Sequence, residues 1–419
     1  MAPDTPDRHA APGAHASAEP QTADPDLASR WLGGSVVAAS DESFGEKENL
    51  LNPAPADFEP GRYGNRGEIV DGWETRRRRG PGHDWAIVRL GTAGRITSVD
   101  VDTSFFEGNS PETCSVDACG FEGYPGPEEL GGPAAEWVEI VPRSPLETDS
   151  HNVFPVSDAG RYTHVRLSTH PDGGVARLRV HGRVVPDPRH FDGLTVDLAG
   201  QEHGGDVVLS SDAFYTSGRL LNRPDRARSM GEGGETRRRR GGGHDFVVLR
   251  LALAGEILRL VVDTAHFKYN ASEAVAVYGS ADEEMPPVDS PRWQPLLART
   301  PLQPDTQHVF PVARNESIRW VRLDAFPDGG VSRLRLLGHV DAAARRQAGY
   351  DWFNALPASQ ARHCLVDAAL PPDLAAALVA ERPLSEASLE RLRRQGRSAE
   401  GHTAEQAHVE ALTALLEGP

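Results

Sequence analysis

One stretch of this chain occurs twice. Residues 74–84 read ETRRRRGPGHD and residues 235–245 read ETRRRRGGGHD, ten of eleven identical. Residues 171–182 read PDGGVARLRVHG and residues 327–338 read PDGGVSRLRLLG, nine of twelve identical. Further matched pieces lie between and before them: Val101-Asp102-Thr103 with Val262-Asp263-Thr264, Phe106 and Asn109 with Phe267 and Asn270, HNVFPV at 151–156 with QHVFPV at 307–312, and VVAASDESF at 36–44 with VVLSSDAFY at 207–215. A period of about 150–160 residues is too long for a solenoid of short repeats and fits two tandem domains. The expected layout is a disordered tail over 1–25, one domain over 26–188, its duplicate over 189–342 and a different segment over 343–419.

Both units read as β. Trp85-Ala-Ile-Val-Arg-Leu and Phe246-Val-Val-Leu-Arg-Leu are short apolar runs, and Ile96-Thr-Ser-Val-Asp-Val alternates. Tyr162-Thr-His-Val-Arg-Leu and Ile318-Arg-Trp-Val-Arg-Leu also alternate, and each leads into Pro-Asp-Gly-Gly, a strong turn signal. Such short strands predict an antiparallel sandwich or jelly roll. Past Asp341 the composition turns to Ala, Leu, Glu and Arg, with helical spacing at Leu374, Leu378 and Val379 and at Leu389 and Leu392. This predicts a small α-helical appendage of two to four helices, one of them starting near Ser385.

Charge narrows the partners. The chain has 44 basic and 61 acidic residues, a formal charge of −17, which opposes binding to nucleic acid or anionic membrane. Only Lys47 and Lys268 are lysines; codon bias accounts for most of this arginine excess, and the sharper reading is that some of the arginines are there to capture a carboxylate with two parallel hydrogen bonds. Three cysteines, Cys114, Cys119 and Cys364, are too few for a disulfide scaffold. No transmembrane run and no secretory signal is found, and a cytoplasmic location is expected.

The duplicated segment carries the candidate chemistry. A solvated arginine run need not keep its neighbours after duplication, yet both runs keep a Glu before them and a His-Asp after them. Glu74, His83 and Asp84, with Glu235, His244 and Asp245, are the catalytic candidates: a histidine and carboxylates suited to proton transfer. On an extended strand adjacent side chains point apart, so Asp84 need not pair with His83. Arg76, Arg78, Asp102 and Arg177, with Arg237, Arg239, Asp263 and Arg333, are the binding candidates, the aspartates having a turn role as the alternative. No His-x-x-x-His, His-Glu-x-x-His or Cys-x-x-Cys occurs, nor a phosphate-binding glycine loop. No cofactor is expected, with a divalent metal left open.

These motifs together resemble the allantoicase family over residues 24–342. The likeness rests on LASRWLGGSVVAASDESFGEKENLL at 27–51, DGWETRRRRGPGHDW at 71–85, DTSFFEGN at 102–109, HVRLSTHPDGGVARLRVHG at 164–182 and DTAHFKYN at 263–270. It implies two galactose-binding-like jelly rolls and hydrolysis of allantoate to ureidoglycolate and urea, a step of purine breakdown. The resemblance carries over no catalytic residue; the chemistry of that reaction calls for paired arginines to hold the substrate carboxylate, a general acid such as His83 or Glu74 for the departing urea nitrogen, and a carboxylate or neutral His to activate water. The copies differ at Trp73/Gly234, Trp85/Phe246 and Ser104-Phe105/Ala265-His266, so either copy, both, or a site between them can carry the reaction. The helical segment from Trp352 to Leu384 is weakly similar to the opening helices of the ureidoimidazoline (OHCU) decarboxylase family, without an expected decarboxylase activity.

Two other classes compete. Tandem jelly rolls also serve as non-catalytic binding proteins for a sugar or a small anion. Sugar modules use aromatic platforms, whereas aromatic residues here are 6% and the repeated motif is charged. A metal-dependent ureidohydrolase would need ligand spacings that are missing. The expected partner is the small molecule allantoate, with no nucleic acid, no membrane and a possible homo-oligomer.

Overall fold

The structure, a computed structural model, describes residues 24–398 and 403–418. All but two residues of the expected 1–25 tail lie outside the described residues. The chain is mainly β, with two jelly-roll sandwiches followed by helices.

A 19-residue strand organises each sandwich: Asp84–Asp102 in the first repeat and Asp245–Asp263 in the second. The two apolar runs expected as separate strands are joined within it. Its first half pairs with Ser35–Ala39 and Arg161–His170, and its second half with Arg177–Val184 and His151–Pro155. The crossing between faces falls at Gly91 and Gly94. A Cβ on Gly94 would sit 2.3 Å from Arg183 O, so only glycine admits that neighbour. Thr113–Cys119 and Trp137–Pro145 extend the first-half sheet. The second repeat duplicates this arrangement through Asp206–Ser210, Ile318–Phe326, Arg333–Val340, Gln307–Pro311, Ala274–Ser280 and Gln294–Pro301.

Alternation along the long strand fills the cores. Ala86, Val88 and Leu90 from its first half meet Ile96, Val99 and Val101 from its second. Val247, Leu249, Leu251, Ile257, Leu260 and Val262 do the same in the second repeat. Each such Leu, Ile or Val contributes about 1.5–3 kcal/mol on burial.

Five helices follow among the described residues, one more than the expected upper number: Ala342–Ala355, Ala358–Asp367, Pro372–Ala380, Glu386–Ser398 and Thr403–Glu417. Pro357, Pro371 and Pro383 separate the first four, because proline interrupts the helical hydrogen-bond ladder. Asp341 caps the first through Ala343 N and Ala344 N at 2.9 and 3.2 Å. Trp352, Phe353, Leu365, Leu378, Leu389 and Leu416 form a separate core. The helices dock through Arg345–Asp192 (2.7 and 3.0 Å) and Gln360 Nε2 to Glu122 Oε1 (2.6 Å). No helix among the described residues is long and apolar enough to cross a membrane.

Candidate active site

The duplicated motif sits at one end of each sandwich. It runs from the short strand Trp73–Glu74, paired with Gly174–Val175, into the start of the long strand at Asp84. The Pro-Asp-Gly-Gly turns hold it in place. Asp172 Oδ2 accepts from Arg78 N at 2.5 Å, and Asp328 Oδ2 from Arg239 N at 2.6 Å. Gly173 and Gly329 have φ of 138° and 113°, and a Cβ on Gly173 would meet Asn109 O at 2.6 Å. The turn aspartates therefore fix the arginine run.

The four arginines of each run, which lies between strands, divide alternately between paired and exposed. Arg76 N donates to Asp41 Oδ1 at 2.7 Å, and its Nε lies 3.4 Å from Asp41 Oδ2. Arg237 meets Asp212 in the same way, at 3.0 Å through N and 2.7 Å through Nε. Arg78 pairs with Asp84 and Arg239 with Asp245. Ser40 Oγ and Ser211 Oγ donate to these aspartates at 3.1 Å and accept from Trp85 N and Phe246 N at 2.9 Å. Arg77, Arg79, Arg238 and Arg240 are exposed, and among the described residues none makes an ion pair. The arginines whose charge is unmatched are thus the alternate members of the run, beside Arg76, Arg78, Arg237 and Arg239.

Glu74 Oε1 accepts from Asn109 Nδ2 at 2.8 Å, and Glu235 Oε1 from Asn270 Nδ2 at 2.6 Å. Burial raises the Glu74 carboxyl above its ordinary value, against the opposing hydrogen bond from Asn109. This carboxyl holds a proton to higher pH than a solvated one, as a general acid requires.

His83 and Asp84 point apart. Asp84 is buried toward Ser40 and Arg78, while the exposed His83 ring packs on His170 with centroids 4.6 Å apart. His170 Nε2 lies 3.2 Å from Ser115 Oγ. Burial, then His83 and Arg143, lower the His170 pKa from its ordinary value. In the second repeat His244 packs on Phe326 at 4.6 Å, and its Nε2 is 3.2 Å from Asp324 Oδ2. Asp84 and Asp245 therefore face the arginines and do not orient the histidines.

The structure takes four binding candidates out of the site. Arg177 is fully buried and donates to the carbonyls of Ala54, Asp71 and Ala176 at 2.7–2.9 Å and to the Asp71 carboxylate at 2.5 Å. Arg333 is its twin, with Glu232 O at 2.6 Å and Asp225 through both O and Oδ1 at 2.8 and 2.7 Å. Each pins a long loop to the core, because a buried guanidinium must satisfy all its donors. Asp102 caps its own turn through Ser104 N at 2.8 Å, and Asp263 does so through Ala265 N at 2.9 Å while also holding Arg226 at 3.1 Å.

The sequence reading missed Asp41, Asp212, Ser40 and Ser211. Their signal was present, since both pairs lie in the matched segments at 36–44 and 207–215. It also missed Asp324, where the first repeat has Ser168. The repeats differ in space as well. Trp73 is fully buried and donates Nε1 to Asp41 O at 2.8 Å. Gly234 leaves a cleft of about 40 Å³ beside Asp212, Glu235, Thr236 and Asp245, room for a water or one small group. Among the described residues no three His, Cys, Asp or Glu side chains gather as a metal site.

Comparison with known proteins finds the same duplication. The family model described as "Allantoicase repeat" matches residues 25–185 and 196–341. A probable allantoicase from Nocardia farcinica is 48% identical over 318 residues, covering 75% of this chain and 94% of the relative. One from Streptomyces coelicolor is 44% identical over 335 residues, covering 77% and 88%. The crystal structure of allantoicase from Saccharomyces cerevisiae superposes with a TM-score of 0.65 at 33% identity, covering 75% of this chain and 93% of that one. Matched across both repeats by the family model and by relatives over nearly their whole length, the chain belongs to the allantoicase family.

Proposed function

We infer that the chain hydrolyses allantoate with water to ureidoglycolate and urea, a step of purine breakdown. The observation that carries this is the identity of 48% to a probable allantoicase across both repeats, with the charged site intact in each. Allantoate bears one carboxylate and two ureido groups on a single carbon. The exposed Arg77 and Arg79, or Arg238 and Arg240, are the unmatched positive charges that suit the carboxylate. Glu74 and Glu235, each held by an asparagine, are placed to protonate the departing urea nitrogen. His83 and His244 are exposed enough to take a proton from water. Arg76, Arg78, Arg237 and Arg239 then act as the frame of the run.

The finer readings are that neither nucleic acid nor membrane is a partner, and that the chain works in the cytoplasm. The last rests on three free, buried cysteines. The test is urea and ureidoglycolate release from allantoate by the purified chain, with and without a chelator. Equal release of both products, unaffected by chelator, is expected. Binding without urea would favour a binding protein, and loss with chelator would bring in a metal.

A further inference from the structure

The two histidines of the duplicated motif have different neighbours. His83 rests on His170, and among the described residues no carboxylate lies within ion-pair distance of it. His244 has the buried Asp324 carboxylate 3.2 Å from Nε2. Arg322 clamps that carboxylate from the side, with Nη2 3.0 Å from Oδ2 and Nε 2.9 Å from Oδ1. Arg322 is itself fixed: it donates to Val288 O and lies over the rings of Tyr278 (4.6 Å) and Trp293 (5.5 Å).

The first repeat keeps the arginine but moves the acid. Arg166 pairs with Asp117 on the neighbouring strand, at 2.9 and 3.2 Å, and Ser168 stands where Asp324 does. The second repeat has Tyr278 in the place of Asp117. The carboxylate thus sits one strand away from the histidine in one repeat and against it in the other. A buried carboxylate beside Nε2 favours the tautomer that carries its proton there, the form in which Nδ1 can act as the base. Arg299 covers the far partner of the stack, Phe326, at 4.2 Å and makes no ion pair among the described residues. It adds an unmatched positive charge near His244.

We propose that allantoate is hydrolysed in the second repeat, with His244 as the proton-transfer residue, Asp324 as the residue that positions it and Arg299 as a further hold on the carboxylate. This rests on the allantoate reading above. The water oxygen bonds to the central carbon as its proton passes to Nδ1. The C–N bond breaks with its electron pair on the urea nitrogen, which takes the proton of the Glu235 carboxyl, and the imidazolium then gives up its proton to restore that carboxyl. One water is consumed, and the histidine and the glutamate both end as they began.

The experiment measures kcat and KM for allantoate on the full chain and on His244→Gln, Asp324→Asn, the double variant and Ser168→Ala. His244→Gln is expected to lose at least about 100-fold in kcat. Asp324→Asn is expected to lose about 10–100-fold with KM within twofold. The double variant should be no slower than His244→Gln alone, because Asp324 acts only through that ring. Ser168→Ala should stay within twofold. An Asp324→Asn enzyme within twofold of wild type, or losses that multiply in the double variant, would overturn the proposal. If Asp324→Asn does not fold, His244→Gln still decides, since its ring is one-third exposed; a loss under threefold overturns the assignment. A wild-type chain that releases no urea sinks the allantoate reading as well, whereas an active wild type with an unaffected His244→Gln sinks this proposal alone.

Discussion

Glu202 lies at the junction of the two repeats, where its carbonyl accepts from Thr92 Oγ1 at 3.0 Å. Its carboxylate folds back over Gly200, and Oε2 is buried with no partner among the described residues. Burial, with Asp197 adding to it and Arg335 opposing, raises its pKa from 4.5 to about 7. Between those values the folded chain holds a proton that the unfolded chain has released. Stability therefore falls as pH rises through the window, by about 1.4 kcal/mol per pH unit. The full window of about 2.5 pH units would amount to about 3.4 kcal/mol, and partial exposure of the side chain reduces this to about 2–3 kcal/mol. Glu202→Gln keeps the shape and removes the titration. Urea unfolding followed by tryptophan fluorescence at pH 5, 6, 7 and 8 is the assay. At pH 5 the variant and wild type should agree within about 1 kcal/mol, and at pH 8 the variant should be more stable by about 2–3 kcal/mol. Parallel stability curves across this range would refute the reasoning.

The other predictions concern single side chains. Arg177→Met should cost about 3–5 kcal/mol in urea unfolding, since it strands the carbonyls of Ala54 and Asp71 and the Asp71 carboxylate; Arg177→Lys should not restore it, because an ammonium cannot reach the same set of acceptors. Trp73→Ala should cost about 3–5 kcal/mol from the cavity it leaves, measured the same way. Arg238→Gln with Arg240→Gln should raise KM for allantoate about tenfold with kcat within threefold, and a fall confined to kcat would argue against carboxylate binding by the run. Glu235→Gln should lower kcat by about 100-fold or more if it protonates the leaving nitrogen, checked by steady-state urea release.

Much of the architecture was legible because sheet packing writes a period of two into the chain. Val99, Val101, Leu178 and Val180 alternate with polar neighbours, and the same pattern returns about 160 residues later. Joining Trp85–Leu90 and Ile96–Asp102 into one strand was not legible. Gly91 and Gly94 separate the two runs in the sequence, whereas in the fold they let one strand cross between sheets where backbones nearly touch. The fifth helix escaped for a related reason: the weak pattern over Thr403–Glu417 acquires its meaning only from packing on Ala342–Ala355.

By itself the sequence determined the duplication and the β class, and it marked a charged motif in each copy as the candidate site. Those properties are local or periodic, and a repeated motif exposes them without any knowledge of contacts. Tertiary structure decided how the charges are shared out. Arg177 and Arg78 are both arginines beside a turn, but one satisfies buried carbonyls and the other pairs with Asp84 near solvent. His83 and His244 occupy equivalent places, yet only His244 meets a carboxylate, supplied by a strand 80 residues away. Burial and hydrogen-bond partners are set by chain segments distant in sequence, so identical motifs acquire different chemistry only when the fold assembles them.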